Sequence, residues 1–447
     1  MNEIPTTADV VVIGGGPAGS TAANTLARLG YDVVLLDKVH HPRLVVGENI
    51  LPMVWRYLDL LGATEAIESV GFIRKSGGTV SWDGTVRQMS FANFGFTRTG
   101  LHVERGDFDE ILLRTAEARG ARVFEGVAAI HVELDGPTKR VAYRSTVSGE
   151  EGTVSGKYVI DASGQAAVVA RQLGHREFDR DLRFMSVWGY FGRTGYVEYG
   201  GSVQPFERRR EIPATTLQVQ VGRLGWCWHI LQREQVSVGL VLPPDELVAF
   251  KASGETLEER FLRACRTVPI VSDLLDLDSF IPGSVLAIRD FAYYPRELSG
   301  SGWFLTGDAA AFVDPINSSG VPGAFYTGHM AALATDESLR HASRSEEVRE
   351  RYDTLQRGSM ALYRLSAMPV GENSYPEMYE HALRRLLQAS LTERELIYAQ
   401  MEIVCRTENL SPLYAMAPQL DRLDTRHVRT LEGPLFDHER ESAGAAR

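Results

Sequence analysis

The chain has 447 residues, of which 44% are hydrophobic, so it is long enough to form two or three domains with substantial cores. Its formal net charge is −11, from 58 acidic and 47 basic residues, which excludes sequence-independent binding to nucleic-acid phosphates. The three cysteines, Cys227, Cys265 and Cys405, are too few and too scattered for a disulfide framework or a metal site.

Residues 9–37 have the pattern of a dinucleotide-binding unit. A short apolar strand is followed by glycines at the G-x-G-x-x-G spacing, and the turn and helix start comprise Gly14, Gly16, Pro17, Ala18 and Gly19. The glycines permit a tight turn, close approach of backbone N–H groups to a pyrophosphate, and packing of the helix on the strand. A second strand at 31–36 ends in Asp37, which can accept hydrogen bonds from a ribose. The pattern predicts dinucleotide binding but does not distinguish FAD from NAD.

A charged connection follows Asp37, and its candidates for further nucleotide contacts are Lys38, Arg43, Gly47 and Glu48. Apolar spacing then predicts a helix over residues 52–61, closed by Gly62. The next segment, 71–84, changes to strand spacing and contains Lys75. A lone lysine at the start of a strand is usually a surface residue, so this segment alone leaves both a surface and a catalytic reading open.

A second helix is predicted to run from Asp107, as its N-cap, to Gly120. Arg105 immediately precedes it, where a guanidinium can bind a phosphate through two hydrogen bonds. Strands are predicted at 122–127 and over 141–154, the latter folding back around Ser148. A further buried strand, at 158–164, ends in small residues that suit close approach of a ligand.

Residues 184–242 contain several short runs with strand alternation and little helix, which predicts an antiparallel sheet. In the run WCWHIL, Trp226, Trp228 and Ile230 are expected on one face, with Cys227 and His229 on the other. The tryptophan pair has two readings. It either packs between sheet and helices or forms a wall of a cavity that binds an aromatic ring.

The segment 303–321 returns to the nucleotide-binding pattern. A strand ends in Gly307 and Asp308, and a helix is predicted to start in the run 318–321. Asp308 can hydrogen-bond the polyol linker of a flavin, which NAD lacks, and the helix start offers N–H groups to an anion. This second site favours FAD over NAD.

The remainder of the chain is predicted to be helical from 346 to 436, with a disordered tail at 437–447 that lacks apolar residues. No run approaches the roughly 18 apolar residues that would span a bilayer, and the N-terminus lacks a signal-peptide pattern. We therefore expect a cytoplasmic protein that does not contact a membrane.

Taken together, these motifs resemble those of the FAD-dependent halogenases, in particular the group that acts on phenols and pyrroles, within the flavin monooxygenase superfamily. The resemblance covers residues 8–330 and rests on GGGPAGS, VGENILP, GFIRKSGG, HVERGDFDEILL, DASG, WCWHI and GDAAAFVDPINSSGV. Each segment alone also occurs in geranylgeranyl reductases or hydroxylases. The lysine at the position of Lys75 and a tryptophan pair like Trp226 and Trp228 narrow the resemblance to halogenases.

The resemblance implies an α/β fold with a Rossmann-like FAD-binding domain of the p-hydroxybenzoate hydroxylase type. We expect this domain to be discontinuous, at 1–180 and 285–345. An antiparallel-sheet substrate domain is expected at 181–284, with part of 72–104 as a candidate addition, and a helical C-terminal region follows.

The implied chemistry is that of a two-component enzyme. A separate flavin reductase supplies FADH2, a flavin hydroperoxide oxidises bound chloride or bromide, and hypohalous acid travels through a tunnel to Lys75. The lysine holds it by hydrogen bonding or as a haloamine, and an electron-rich aromatic intermediate of secondary metabolism, free or bound to a carrier protein, is halogenated. Trp226 and Trp228 are implied to separate flavin from substrate. The halide is implied to bind backbone N–H groups near Ser319 and Gly320.

The expected contacts of FAD are Gly14, Gly16, Pro17, Ala18, Gly19, Asp37, Lys38, Arg43, Gly47, Glu48, Arg105, Gly307, Asp308, Pro315, Gly320 and Val321. Asp290 is the candidate for a covalent flavin link of the kind some relatives have. Two positions depart from the family. Leu231 replaces the proline of the W-x-W-x-I-P pattern, and Asn317 stands where tryptophan-type halogenases carry a glutamate, which favours a more activated ring than indole.

Two other functions share this scaffold. A flavin-dependent hydroxylase, or a reductase of the geranylgeranyl type, needs neither halide nor the lysine. A non-catalytic flavin-binding sensor would show no turnover with any electron donor. Only a halogenase adds the mass of a halogen to its product.

Overall fold

The computed structural model of the chain describes residues 3–251, 254–367 and 428–431. Its helices are α1 (Pro17–Arg28), α2 (Trp55–Leu61), α3 (Thr64–Val70), α4 (Arg105–Ala118), α5 (Val168–Gln172), α6 (Pro244–Lys251), α7 (Leu257–Cys265), α8 (Val271–Leu274), α9 (Gly320–Arg340) and α10 (Ser345–Ala367). None of these described helices is both long and apolar enough to cross a membrane.

The first strands in chain order are β1 (Val10–Ile13), β2 (Val33–Asp37), β3 (Asn49–Ile50), β4 (Ile73–Trp82), β5 (Thr85–Ser90), β6 (Gly100–His102), β7 (Arg122–Glu125), β8 (Val127–Glu133), β9 (Lys139–Ser145), β10 (Glu151–Gly156) and β11 (Tyr158–Asp161). The remaining ones are β12 (Arg176–Phe178), β13 (Met185–Phe191), β14 (Tyr196–Val197), β15 (Val203–Gln204), β16 (Ala214–Val221), β17 (Gly225–Leu231), β18 (Val236–Leu242), β19 (Leu286–Arg289), β20 (Tyr293–Pro295), β21 (Ser299–Gly300), β22 (Trp303–Leu305) and β23 (Arg429–Thr430).

The first large sheet is the Rossmann-like one predicted from the glycine pattern. Its strand order is β21-β22-β11-β1-β2-β7, and every pairing is parallel except that of β21 with β22. The strands β1 and β2 are buried along their whole length, as expected for a parallel sheet covered on both faces. Helices α1 and α9 pack against each other, and the carboxyl ends of β1, β11 and β22 meet at one edge.

The second large sheet has ten strands and carries the tryptophan pair. It includes β13, β16, β17 and β18 in antiparallel pairing, which confirms the prediction for 184–242. Strands β3 to β6, from the 72–104 segment and its neighbourhood, join the same sheet. The pairing of β4 with β16 is parallel, whereas the predicted strands of 184–242 pair antiparallel with one another. The two strands are far apart in sequence, and no tight hairpin dictates their direction.

The two faces of this sheet bury different clusters. One face packs against α6, α7 and α8 through residues such as Val187, Cys227 and Phe261. The opposite face carries Trp188, Trp226 and Trp228. Residues that precede α9 pack on that face, so the sheet lies against the loop that leads from β22 to α9.

Helix α4 differs from its prediction at its start. It begins at Arg105, with Glu104 as an N-cap residue that makes no side-chain cap, so the prediction of Asp107 as N-cap was wrong. Both acidic side chains instead bind Arg233, and Glu104 does so at 2.7 Å. Glu104 thus forms an ion pair and makes no side-chain cap.

The fold as a whole is α/β, with a Rossmann-like sheet, a second and largely antiparallel sheet, and a helical region after residue 345. The Rossmann-like sheet draws its strands from 10–161 and 299–305. The domain boundaries themselves stay a prediction. Of the predicted C-terminal helical region, residues 368–427 lie outside the described residues, as do the tail 437–447 and Cys405.

Candidate active site

The glycine turn after β1 has the close contacts that its sequence predicts. Gly14 adopts a φ of +103°, and a Cβ there would lie 2.3 Å from the carbonyl oxygen of Ala162. A Cβ on Gly19 would lie 1.8 Å from the carbonyl oxygen of Gly14. A Cβ on Gly16 would lie 3.0 Å from the Nη2 of Arg43, and no other described atom beyond its chain neighbours would come within 4 Å of it. Gly14 and Gly19 are therefore required by packing, whereas Gly16 borders an open approach to the start of α1.

Asp37 organises this turn from the end of β2. Its Oδ2 accepts a hydrogen bond of 2.6 Å from the Gly15 N–H, and its Oδ1 accepts one of 3.0 Å from Val39. The carboxylate keeps lone pairs for a further donor, such as a ribose hydroxyl. The neighbouring Lys38 side chain is exposed. The structure thus turns Lys38 outward while Asp37 is held in the turn.

Two arginines converge beside the start of α1. Arg105 binds Asp109 with its Nε and Nη2, at 2.8 and 2.9 Å, and donates to the Val46 carbonyl at 2.7 Å. Arg43 binds the same carboxylate at 3.2 Å. The two guanidinium groups share the fully buried Asp109 carboxylate, and the charges of Glu48 and Asp308 also act on Arg105. Positive charge beside a helix N-terminus fits the diphosphate of FAD.

Asp109 was not predicted from the sequence. It follows Arg105 by four residues on α4, and this i,i+4 spacing was the signal that could have identified it.

Asp308 lies at the carboxyl end of β22, at the same edge as the glycine turn. A Cβ on Gly307 would lie 2.9 Å from Ala18, which shows how closely the two turns approach. Burial raises the pKa of the Asp308 carboxyl to about 6, and the charges of Arg105 and Arg43 oppose the rise. A pocket begins here and runs along α9 to α10. Its lining includes Gly307, Asp308, Phe312, Ser319, Gly320 and Tyr363.

Glu48 is a buried carboxyl near the same edge. Tyr190 donates its hydroxyl to Glu48 at 2.9 Å, and the Gly47 N–H donates at 3.0 Å. Burial raises the pKa of Glu48, against the opposing effect of these hydrogen bonds and of Arg105. Tyr190 lies on β13 and Glu48 directly precedes β3, so this hydrogen bond joins two non-adjacent parts of the second sheet. It was missed in the sequence because the two residues are 142 positions apart.

The other predicted cofactor contacts lie at different depths. Pro315 begins a short 3₁₀ turn that Asp314 caps. Val321 is buried in a cluster with residues of α2 and with Phe325. Asp290, the candidate for a covalent link, pairs with Arg183 at 2.7 Å and has a φ of +53°.

Lys75 is buried, with 2% of its surface exposed. Its Nζ lies 5.0 Å from the ring centroid of Phe91, which belongs to the cluster of the tryptophan pair. Gly100 lies opposite Lys75 on β6, and a Cβ there would lie 2.5 Å from the carbonyl oxygen of Ile50 and 3.1 Å from the Phe91 ring, so this position requires glycine. His102, on the same strand, is fully buried beside the lysine. Burial, together with the lysine charge, lowers the pKa of His102 well below its ordinary value.

Trp226 and Trp228 lie on one face of β17, as predicted, and their ring centroids are 5.6 Å apart at 47°. Trp228 donates to the Ser237 hydroxyl at 3.1 Å, and its ring lies directly over Gly239, where a Cβ would come within 2.2 Å. Trp226 Nε1 has no hydrogen-bond partner among the described residues. Both rings pack in the cluster that contains Val313 and Ile316, and the choice between the packing reading and the cavity-wall reading stays a prediction.

The opposite face of β17 also follows its prediction. Cys227 belongs to the other cluster, and His229 lies 3.2 Å from the Thr194 hydroxyl. Burial lowers the pKa of His229 to about 4, so its ring is neutral at pH 7. Both side chains lie on the face of β17 opposite to the tryptophans.

The 318–320 loop, which is Ser318, Ser319 and Gly320, leads into α9. Ser318 has a φ of +53°, Ser319 is the N-cap residue and Gly320 is the first helical residue. Asn49 donates from its Nδ2 to the Ser318 hydroxyl at 2.6 Å. Asn49 was quoted in the VGENILP motif but was not predicted as a site residue.

Comparisons with known proteins agree with this geometry. Residues 7–191 match the family model of an FAD binding domain. The chain is 34% identical to the tryptophan 2-halogenase of Chondromyces crocatus, covering 91% of this chain and 76% of that protein. It is 34% identical to the flavin-dependent halogenase armH3 of Armillaria mellea, covering 77% and 70%.

Two solved structures have the same fold. The myxobacterial chondrochloren halogenase CndH superposes with a TM-score of 0.73 at 26% identity, covering 90% of this chain and 98% of that one. The flavin-dependent halogenase CmlS gives a TM-score of 0.72 at 28% identity, covering 95% and 77%.

Proposed function

Because this chain belongs to the flavin-dependent halogenases, we propose that it converts chloride or bromide to hypohalous acid and halogenates an electron-rich aromatic intermediate of secondary metabolism. FADH2 comes from a separate flavin reductase. When bound, it supplies the electrons that activate oxygen for oxidation of the halide. The single observation that carries the proposal is the burial of Lys75 beside Phe91, a residue of the cluster that contains the tryptophan pair.

Residues at the edge of the Rossmann-like sheet hold the cofactor in this proposal. Arg43, Arg105 and the start of α1 bind the diphosphate, and Asp37 accepts from the adenosine ribose. Asp308 accepts from a hydroxyl of the polyol linker. The N–H groups at Ser319 and Gly320 face an anion at the start of α9, which fits a halide. The arrangement of charge supports these assignments, since the cations lie where the diphosphate is expected.

Lys75 acts on the hypohalous acid. Its charged amine donates a hydrogen bond to the acid. Its neutral amine is a nucleophile that can take the halogen and form a haloamine, while the halogen–oxygen bond breaks and the hydroxide leaves with an amine proton as water. Surrounding apolar groups such as Phe91 exclude water, which otherwise competes for hydrogen bonds and for the oxidant. Trp226 and Trp228 separate the flavin site from the aromatic substrate, so the substrate is not hydroxylated directly.

We propose a phenolic or pyrrolic ring as substrate, free or attached to a carrier protein. Asn317 is buried where tryptophan-type halogenases carry a glutamate, so no carboxylate is supplied there to assist attack on a less activated ring. Tryptophan is the second candidate, because a relative that matches 91% of this chain is named a tryptophan 2-halogenase. Product masses from a panel of phenols, pyrroles and tryptophan, with chloride or bromide, distinguish these substrates from each other. A hydroxylated or reduced product without halogen would support the alternative functions.

The function is tested by Lys75→Met with FADH2, oxygen, halide and substrate. We expect loss of halogenated product while FADH2 is still reoxidised. The matched control is Lys139→Met, which removes a second lysine that is 2% exposed but lies on β9, in a separate sheet. Full halogenation by Lys75→Met would refute the role of the lysine. Absence of halogenated product from the unmodified protein with every substrate would refute the function.

A further inference from the structure

A line of polar side chains runs from the half-buried Ser318 of the 318–320 loop to the buried Lys75. Ser318 binds Asn49 on β3, and Asn49 lies directly opposite His102 on β6 in the antiparallel register. Gly100 lies two residues before His102 on β6, on the same face of the strand, and pairs with Lys75 on β4. We call Ser318, Asn49, His102 and Lys75 the polar row.

Register brings these side chains within reach of one another. Directly opposed residues of an antiparallel pair have Cβ atoms about 4.5–5.5 Å apart, and diagonal neighbours about 7–8 Å apart are still within reach of long side chains. Asn49 and His102 are directly opposed, whereas His102 and Lys75 are diagonal. The effect of the lysine charge on the His102 pKa agrees with this proximity.

Asn49 has hydrogen-bonding capacity to spare. It is 7% exposed, and its Oδ1 has no hydrogen-bond partner within the part of the chain that the structure describes. A buried amide oxygen without a partner costs free energy, so it marks a place where a polar ligand would be bound. The other end of the amide holds Ser318, so the free oxygen lies beside the 318–320 loop.

His102 is held in place and electrically neutral. Its Nε2 lies 2.8 Å from the Thr216 hydroxyl on β16, which fixes the ring in the sheet. Its lowered pKa keeps the imidazole neutral at pH 7. A neutral imidazole and an amide can each donate to or accept from a small neutral acid.

On the basis of the proposed function, we infer that Asn49 and His102 are positioning residues that line the passage from the 318–320 loop to Lys75 and hydrogen-bond hypohalous acid along it. The acid moves unchanged, so no bond forms or breaks before it reaches the lysine. The row shortens the time that the oxidant spends in the passage and keeps it from leaving toward solvent.

The test measures how the oxidant is divided between substrate and solvent. Enzyme, FADH2, oxygen, bromide and substrate are mixed with a β-diketone scavenger, and brominated substrate and brominated scavenger are quantified per FADH2. In Asn49→Leu and His102→Phe we expect about tenfold less brominated substrate, as for loss of one hydrogen bond of about 1.4 kcal/mol, with a matching gain in scavenger product. His102→Gln, which keeps hydrogen-bonding groups, should retain most of the activity.

A matched pair of threonine variants distinguishes an effect on the passage from an effect on the stability of the sheet. Thr216→Val removes the partner of His102, whereas Thr215→Val removes a buried hydroxyl that binds Thr79 at 2.7 Å and the Val197 carbonyl at 2.9 Å. We expect Thr216→Val to lower the ratio of brominated substrate to brominated scavenger and Thr215→Val to leave this ratio unchanged. An equal effect of both variants would overturn the inference.

Binding measurements on the protein without turnover distinguish an effect on the passage from an effect on halide binding. Bromide affinity of the oxidised, FAD-loaded protein is measured by the broadening of the bromide NMR signal, and FAD affinity by fluorescence. We expect both affinities to be unchanged in His102→Phe. A parallel loss of bromide affinity, or an unchanged division of product in a protein that halogenates normally, would overturn the inference. An unmodified protein that brominates neither substrate nor scavenger would instead refute the proposed function.

Discussion

Binding of FAD should release a proton from Asp308. The pKa of this carboxyl is about 6, raised by burial, so it is half protonated at pH 6. A hydroxyl of the cofactor that donates to the carboxylate favours its charged form and lowers its pKa. If the pKa falls to its ordinary value of about 3.9, binding releases about 0.5 proton at pH 6 and almost none at pH 8. The same linkage makes FAD bind about tenfold more tightly at pH 7 than at pH 5.

Isothermal calorimetry in buffers with different ionisation enthalpies measures this proton. At pH 6 we expect the apparent binding enthalpy to depend on the buffer, in the direction of release to the buffer. The dependence should vanish in Asp308→Asn. The matched control is Asp353→Asn, since burial also raises the pKa of Asp353, which binds Ser299 at 2.6 Å instead of facing the cofactor edge. Proton uptake, or release that persists in Asp308→Asn, would refute the reasoning.

Two further predictions concern the cofactor turn and the C-terminal helix. Gly16→Ala should leave thermal stability nearly unchanged but weaken FAD binding about tenfold or more, because a methyl group there occupies the approach to the diphosphate. Gly14→Ala should instead lower the melting temperature, since its Cβ would lie 2.3 Å from a carbonyl oxygen, and equal effects on stability would contradict this reading. Arg364→Met should lower the free energy of unfolding by about 3–5 kcal/mol, because it leaves the buried Asp179 carboxylate without its ion pair. Arg344→Met, which removes only exposed ion pairs, is its control in urea unfolding, with an expected loss under about 1 kcal/mol.

Local patterns predicted much of the fold. The strand, glycine turn, helix and acid of residues 9–37 lie in one continuous segment, so spacing alone determined their arrangement. The alternation in β17 likewise placed Trp226 and Trp228 on one face without knowledge of the neighbouring strands.

Other parts of the site depend on contacts between distant segments. The burial of Lys75 follows from its pairing with β6 and β16, and the parallel direction of the latter pairing has no local signal. The opposition of Asn49 and His102 rests on a strand of only two residues, which is too short for its alternation to be recognised. The family resemblance identified the lysine, but only the register of the sheet shows which polar groups accompany it.

Gly239, on β18, determines how closely the Trp228 ring packs on the second sheet. The Trp228 indole lies directly over Gly239. A Cβ on Gly239 would lie 2.2 Å from the ring, so even one methyl group does not fit there. An alanine there would push the indole outward by about 1.5 Å to restore normal van der Waals separation. The position of the Trp228 ring in the proposed active site can thus be changed by substitution of Gly239. Variant libraries that aim to change which aromatic ring is accepted should therefore include Gly239 together with Trp226 and Trp228.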